Sequence, residues 1–217
     1  MTSDTTIIIA DDHPLFRGAL RQAIASQDKA TRIVEAADFD EARRAASENA
    51  DADLMLLDLS MPGTSGLTGL MMMRAEHQNI PVAVISATDD TPTIRRALEL
   101  GASAFISKSS GIDEIREAID TVLAGGFWTP PDFDAEREND PEIENLIARL
   151  KTLTPQQTRV LGMIGEGLLN KQIAYELGVS EATIKAHVSA ILLKLNVDSR
   201  TQAVIQLGKI GTAPGAA

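Results

Sequence analysis

The sequence predicts a doubly wound α/β domain followed by a second, all-α domain, and three observations carry that expectation. Four short apolar runs, Ile7 to Ala10, Leu54 to Leu57, Val82 to Ile85 and Ala104 to Ile106, are separated by stretches of helical length, the pattern of buried parallel strands. A glycine pair at 125–126 and a proline pair at 130–131 then punctuate the chain. Past residue 146 the apolar residues recur at helical spacing, each group opened by a capping signal.

In order along the chain, the first run passes into Asp11-Asp12. Asp ahead of Pro14 is also a helix-start signature, so either acid could simply cap the helix that Pro14 begins. His13 reads as a loop residue beside these acids, since no phosphotransfer-helix pattern surrounds it. The second run ends on Asp58, and the triple Met71-Met72-Met73 after it reads as core filling on an amphipathic helix. The third run ends on Ser86; the fourth is followed within two residues by Lys108.

Parallel sheets place their chemistry at the carboxyl ends of the strands, so Asp11, Asp12, Asp58, Ser86 and Lys108 should meet in one crevice. Three carboxylates together require a cation or raised pKa values. A hard divalent ion satisfies them, Mg2+ above all, and Mg2+ commonly shares its shell with phosphate oxygens. Asp58 is the expected nucleophile, forming an aspartyl phosphate. Lys108 and the metal would offset charge on the transferring oxygens, and Ser86 would hydrogen-bond the new phosphate.

The halves differ in charge. Residues 1–145 hold 12 Lys and Arg against 27 Asp and Glu, residues 146–217 hold 8 against 4, and the net charge of −11 divides into −15 and +4. Such asymmetry suggests a nucleic-acid-facing module attached to an acidic one. Residues 125–145, with their glycines, prolines and charges, read as a linker. Leu146, Ile147 and Leu150 suggest a short helix closing it, and Gly211 to Ala217 a disordered tail.

Four helices should follow. Thr154-Pro155-Gln156-Gln157 is a capping box with Pro at the first helical position. Asn170 is the expected cap of a short helix containing Ile173, Ala174 and Leu177, with Gly178 making the turn. Ser180 caps the next helix, whose Ile184, Val188, Ile191 and Leu195 form one buried stripe. Ser199-Arg200-Thr201-Gln202 is a second box opening the last helix, where Ala203, Val204, Leu207 and Ile210 form a stripe that could be a dimer seam or could pack within its own domain. Helix, glycine turn, helix is a helix-turn-helix. On its second helix Lys185, Ala186 and Ser189 point away from the stripe, which suits either a DNA major groove or an ordinary solvent face.

Residues 5 to about 124 resemble a response-regulator receiver domain: the acid pair after the first strand, Asp58-Leu59-Ser60-Met61-Pro62-Gly63 with Gly66, Ser86-Ala87, and Lys108, in order. Residues 150–210 resemble the LuxR-type DNA-binding domain throughout, from Leu153-Thr154-Pro155 through Asn170-Lys171-Gln172-Ile173-Ala174 and Thr183-Ile184-Lys185-Ala186-His187-Val188 to Ser199-Arg200-Thr201-Gln202-Ala203-Val204. Together they point to the NarL/FixJ subfamily of response regulators.

The resemblance implies a flavodoxin-like receiver over residues 1–124, a linker over 125–145 and a helix-turn-helix domain over 146–217. It implies that Asp12, Asp58 and the backbone carbonyl of Ser60 ligate Mg2+ with Asp11 assisting, and that Ser86 and Phe105 are a switch pair. Lys185, Ala186 and Ser189 would face base edges while Lys171, Ser180, Thr183, Lys194 and Arg200 position phosphates. Implied partners are a cognate sensor histidine kinase, double-stranded promoter DNA, a second copy on DNA, and RNA polymerase. Ser109 departs from the family's frequent Pro, leaving the Lys108-Ser109 peptide open between cis and trans; Gln157 stands where Glu is common.

Other classes are disfavoured. The absence of cysteine removes disulfides, thiol catalysis and cysteine-bound zinc, and no G-x-x-x-x-G-K-[ST] cradle is present. No apolar run is long enough to span a bilayer, so a cytoplasmic, non-membrane protein is expected. A Mg2+-dependent aspartyl phosphatase is the rival enzyme, but Asp58-Leu59-Ser60 lacks that family's second Asp. A regulator that binds DNA without phosphorylation is the other rival.

Overall fold

The computed structural model describes residues 5–25, 31–64, 66–134 and 140–211. They form two units, Met1–Glu136 and Arg137–Ala217.

The first unit alternates strand and helix: β1 (Thr5–Ala10), α1 (Pro14–Ala25), β2 (Thr31–Ala36), α2 (Phe39–Glu48), β3 (Leu54–Asp58), α3 (Leu67–Glu76), β4 (Val82–Ser86), α4 (Thr91–Glu99), β5 (Ala104–Ser107) and α5 (Ile112–Leu123). The strands are all parallel in the order β2-β1-β3-β4-β5. The order reverses beside β1, so the crevice between the ends of β1 and β3 is where such a sheet receives a ligand. Strands β3, β4 and β5 are buried along their whole length, as continuous apolar runs require.

Side chains alternate across the sheet. Ile7, Ile9, Leu54, Leu56, Ala83, Ile85, Ala104 and Ile106 pack with Leu20 and Ile24 of α1 and Ile115 and Ile119 of α5 in one core cluster. Met71, Met72 and Met73 are all buried in α3, as core filling predicts. β2, at one edge of the sheet, carries no long apolar run: Arg32 and Glu35 are exposed and only Ala36 is buried.

The expected linker is shorter than residues 125–145. Gly125 has φ +84, and the Gly126 N–H donates to the Thr121 carbonyl at 2.8 Å, which ends α5. The chain then turns back: Trp128 bridges to Ala104 of β5 and joins the core cluster with 8% of its surface exposed. Burying an indole removes a large apolar area from water, which works against the entropy cost of ordering this short segment. At the other end α6 (Pro141–Leu150) starts before residue 146, capped by Asp140, whose carboxylate accepts from the Glu142 N–H. The proposed tail lies almost wholly outside the described residues.

The second unit continues with α7 (Pro155–Gly165), α8 (Asn170–Glu176), α9 (Glu181–Leu195) and α10 (Arg200–Gly211). Ile143, Leu146, Ile147, Leu150, Val160, Leu161, Ile173, Ile184, Ile191 and Leu195 form its interior. Thr154 and Gln157 make the expected reciprocal box. The cap of α8 is Leu169 rather than Asn170: the Leu169 N–H donates to Gln172 Oε1 at 2.7 Å, while Asn170 accepts from Arg200. At α10, Gln202 Oε1 accepts from Asp198, not Ser199, so only half of the second box forms. Of the stripe, Ala203, Leu207 and Ile210 are buried and Val204 is half-buried, so most of it packs inside the single chain.

Candidate functional site

The site grows from three strand ends. β1 delivers Asp11 and Asp12, β3 delivers Asp58, and β5 is followed by Lys108. Asp11 and Asp58 are each 1% exposed. Lys108 Nζ lies 2.8 Å from Asp11 Oδ2 and 2.8 Å from Asp58 Oδ2, with its ammonium 5.1 Å from the centre of the Phe16 ring. Asp58 Oδ1 accepts from the Ser60 N–H at 3.1 Å. Burial lifts the Asp58 carboxyl above its ordinary range, against the hydrogen bond and charge of Lys108. Burial alone would lower Lys108, but the hydrogen bonds and charges of Asp11 and Asp58 outweigh it, and the ammonium is held above its ordinary value.

Neither acid caps α1 directly. The first amides of that helix bond to the His13 carbonyl, Phe16 at 3.0 Å and Arg17 at 3.1 Å, and Asp11 Oδ1 accepts from the His13 N–H at 2.7 Å. That frees Asp12, whose buried Oδ1 makes no hydrogen bond of good geometry even though His13 Nδ1 lies 2.6 Å away. Donor atoms of Asp11, Asp12, His13 and Asp58 gather within 4.8 Å of one another. A buried oxygen short of a partner, among carboxylates that cannot all stay charged unaided, fits a hard divalent cation.

A cavity of about 420 Å³ opens beside Asp58 and Lys108 and is lined also by His13, Leu15, Phe16 and Ala87. Sequence reasoning missed Phe16; its signal was an aromatic on the first turn of the helix that follows the acids. It also missed Arg17, which donates to the Asp11 carbonyl at 2.6 Å and bonds Glu35 of β2.

Asp58 is in register with Ile85 and, through it, Ile106, so by alternation Ser86 and Phe105 start from the opposite face of the sheet. Ser86 is 2% exposed and its Oγ accepts from the Thr88 N–H at 3.0 Å. Phe105 is fully buried. No peptide among the described residues is cis, so Lys108-Ser109 is trans.

In the second unit α8, the turn and α9 form the helix-turn-helix. Gly178, at φ +63, follows α8, and the Val179 N–H reaches the Ala174 carbonyl at 3.0 Å. Ser180 caps α9, accepting from the Thr183 N–H at 3.1 Å. Lys171, Ser180, Thr183, Lys185, Ala186 and Ser189 are exposed, and Lys185 pairs with Glu181 one turn back, at 3.1 Å. Such an exposed pair is weak and readily exchanged for another partner.

Lys194 and Arg200 differ. Lys194 Nζ donates to the Thr152 carbonyl at 2.7 Å and to Gln157 Oε1 at 2.8 Å, and Arg200 donates to the Leu168 carbonyl and to Asn170. Both cations also satisfy carbonyls of their own unit and so tie its loops together.

A parallel sheet of this order with an acid cluster and a lysine at its switch crevice, joined to a helix-turn-helix unit, defines a two-domain regulator. Residues 7–120 match the response regulator receiver domain family and residues 151–207 the luxR family of bacterial regulatory proteins. The chain is 43% identical over 210 residues to a glycerol metabolism activator of Pseudomonas putida, covering 94% of this chain and 95% of the relative. It is 32% identical over 205 residues to the nitrate/nitrite response regulator protein NarL of Escherichia coli strain K12, covering 92% and 93%. A solved complex of the response regulator RcsB with DNA shares the fold, with TM-score 0.55 and 24% identity over 96% of this chain and all of that one. The chain belongs to the response regulators that couple a receiver domain to a LuxR-type helix-turn-helix domain.

Proposed function

We propose that this protein is a phosphorylation-controlled transcriptional regulator in which Asp58 takes the phosphoryl group. The observation that carries it is Lys108 Nζ, 2.8 Å from the carboxylates of both Asp11 and Asp58 at the ends of β1 and β3. An Asp58 oxygen attacks the phosphorus of a phosphohistidine on the cognate sensor kinase. The phosphorus–nitrogen bond breaks and the imidazole leaves with its electron pair, to be protonated.

Lys108 follows the charge from the carboxylate to the phosphoryl oxygens, and Ser86 donates its hydroxyl to them. Asp12, Asp58 and the Ser60 carbonyl would hold Mg2+, with Asp11 assisting, and a bound ion would supply positive charge facing the phosphoryl oxygens.

Residues 1–124, extended by the segment around Trp128, form the receiver in this reading, and the unit from residue 140 binds promoter DNA as a symmetric dimer. Lys185, Ala186 and Ser189 read bases, Lys171, Ser180 and Thr183 position phosphates, and RNA polymerase is a further partner. Two observations support phosphorylation control: a relative named a response regulator aligns over nearly the whole chain, and Asp11, Asp12 and Asp58 gather in one cluster.

Among the described residues no helix is long and apolar enough to cross a membrane, and we place the protein in the cytoplasm. Intact mass after incubation with acetyl phosphate and Mg2+ tests the acceptor. The wild type gains one phosphate and Asp58→Asn none. Multiple turnover on a phosphomonoester would instead support the phosphatase reading.

A further inference from the structure

Ser107 is a hydroxyl at a strand position buried to 6% exposure, between Phe105 and Lys108. It pairs directly with Ser86 across β4 and β5. Its Oγ donates to Asp89 Oδ2 at 2.6 Å, in the loop between β4 and α4. A hydroxyl carries one proton, so the 2.7 Å contact between Ser107 Oγ and Ser109 Oγ has Ser109 as donor. The Ser109 N–H also donates to Ser107 Oγ, at 3.2 Å. A proline at position 109 could not make that last bond.

We propose that Asp89, Ser107 and Ser109 are positioning residues forming a latch that holds the loop after Ser86 in its resting place. The inference rests on the reading of Asp58 as phosphoacceptor. Phosphate oxygens only accept hydrogen bonds, so Ser86 must bring its proton to them. Ser86 Oγ is held at 3.0 Å by the Thr88 N–H, one residue before Asp89. The hydroxyl proton of Ser86 stays free to donate, and in the proposed switch a move of Ser86 toward the phosphate carries Thr88 and the adjoining Asp89 with it, opening the Asp89–Ser107 bond.

The Asp89–Ser107 bond is charge-assisted and short, the stronger sort of hydrogen bond. Losing it removes a cost that the wild type meets each time it switches, and the apparent affinity for a phosphate mimic rises accordingly. Ser109 supports the latch by supplying the second proton and fixing the Ser107 rotamer, so the backbone beside Lys108 is tied to the same loop. The loops carrying Ser86 and Lys108 are linked a second time by the Lys108 N–H, which donates to the Ser86 carbonyl at 2.8 Å.

The test is a titration of full-length protein with beryllofluoride at fixed Mg2+, following bound fluoride by 19F NMR. Wild type should show bound resonances that are absent from Asp58→Asn. Ser107→Ala should bind about fivefold more tightly, the ratio that one net hydrogen bond represents. Ser107→Thr, which keeps the hydroxyl, should return to the wild-type affinity. Asp89→Ala, at an exposed position, should reproduce the gain even where Ser107→Ala folds poorly, and the double variant should gain no more than either single one. Equal or weaker binding by both single variants overturns the latch while leaving the phosphoacceptor reading intact. No bound fluoride in the wild type overturns both.

Discussion

The Phe105 N–H donates to the carbonyl of Trp128 at 3.2 Å, and the Trp128 N–H donates to the Ser103 carbonyl at 3.1 Å. The proposed switch aromatic is thus tied by its backbone to the first residues beyond α5. Trp128 is the only tryptophan in the chain, so a rearrangement at Phe105 should change its emission. Beryllofluoride with Mg2+ is expected to shift Trp128 fluorescence in the wild type and not in Asp58→Asn. An unchanged spectrum at saturating beryllofluoride would show that Phe105 and its partner stay still.

Asp58 should also impose a pH dependence on stability. Its folded-state pKa is raised by burial above the ordinary carboxylate value. The folded form therefore holds its proton more tightly than the unfolded chain. Its contribution is fully present below the unfolded pKa and is lost as pH rises through the folded pKa. In EDTA, Asp58→Asn is expected to gain melting temperature over wild type as pH goes from 4 to 7. A constant difference across that interval would mean that Asp58 is not titrating as placed.

Metal should oppose that loss. Mg2+ binding only the folded state stabilises it by mass action, about 1.4 kcal/mol for each tenfold of concentration above the dissociation constant. Thermal shift in millimolar Mg2+ should be clear in the wild type and much reduced in Asp12→Ala. Equal shifts would remove Asp12 from the metal site.

The cations of the second unit should separate into two kinds. Lys185→Ala is expected to weaken binding to target DNA by roughly 1–3 kcal/mol and reduce discrimination, while Lys171→Ala weakens all DNA alike and lowers the salt slope by about one. Lys194→Ala should instead lower the melting temperature, because it strips a partner from the Thr152 carbonyl and from Gln157. Binding isotherms at several salt concentrations, with melting curves for each variant, distinguish these outcomes.

The strand ends were legible in the sequence because parallel strands are buried on both faces, so an apolar run stops where Asp58 or Ser86 begins. β2 was not, since an edge strand can carry Arg32 and Glu35 in place of an apolar run. The segment around Trp128 was hidden because glycine and proline pairs signal a break but not where the chain goes next. Lys194 and Arg200 look like free cations in the sequence, and their carbonyl partners lie 42 and 32 residues away. Asn170 was misread by one residue because Gln172, not the cap side chain, satisfies the exposed amide.

Whether phosphate at Asp58 governs DNA binding by the full-length protein is measured most directly by fluorescence anisotropy with target DNA, with and without beryllofluoride and Mg2+, for the wild type and Asp58→Asn. The expected result is tight, sequence-specific binding by the wild type only when beryllofluoride is present, and no response in Asp58→Asn. Identical isotherms for the wild type in both conditions would contradict the account.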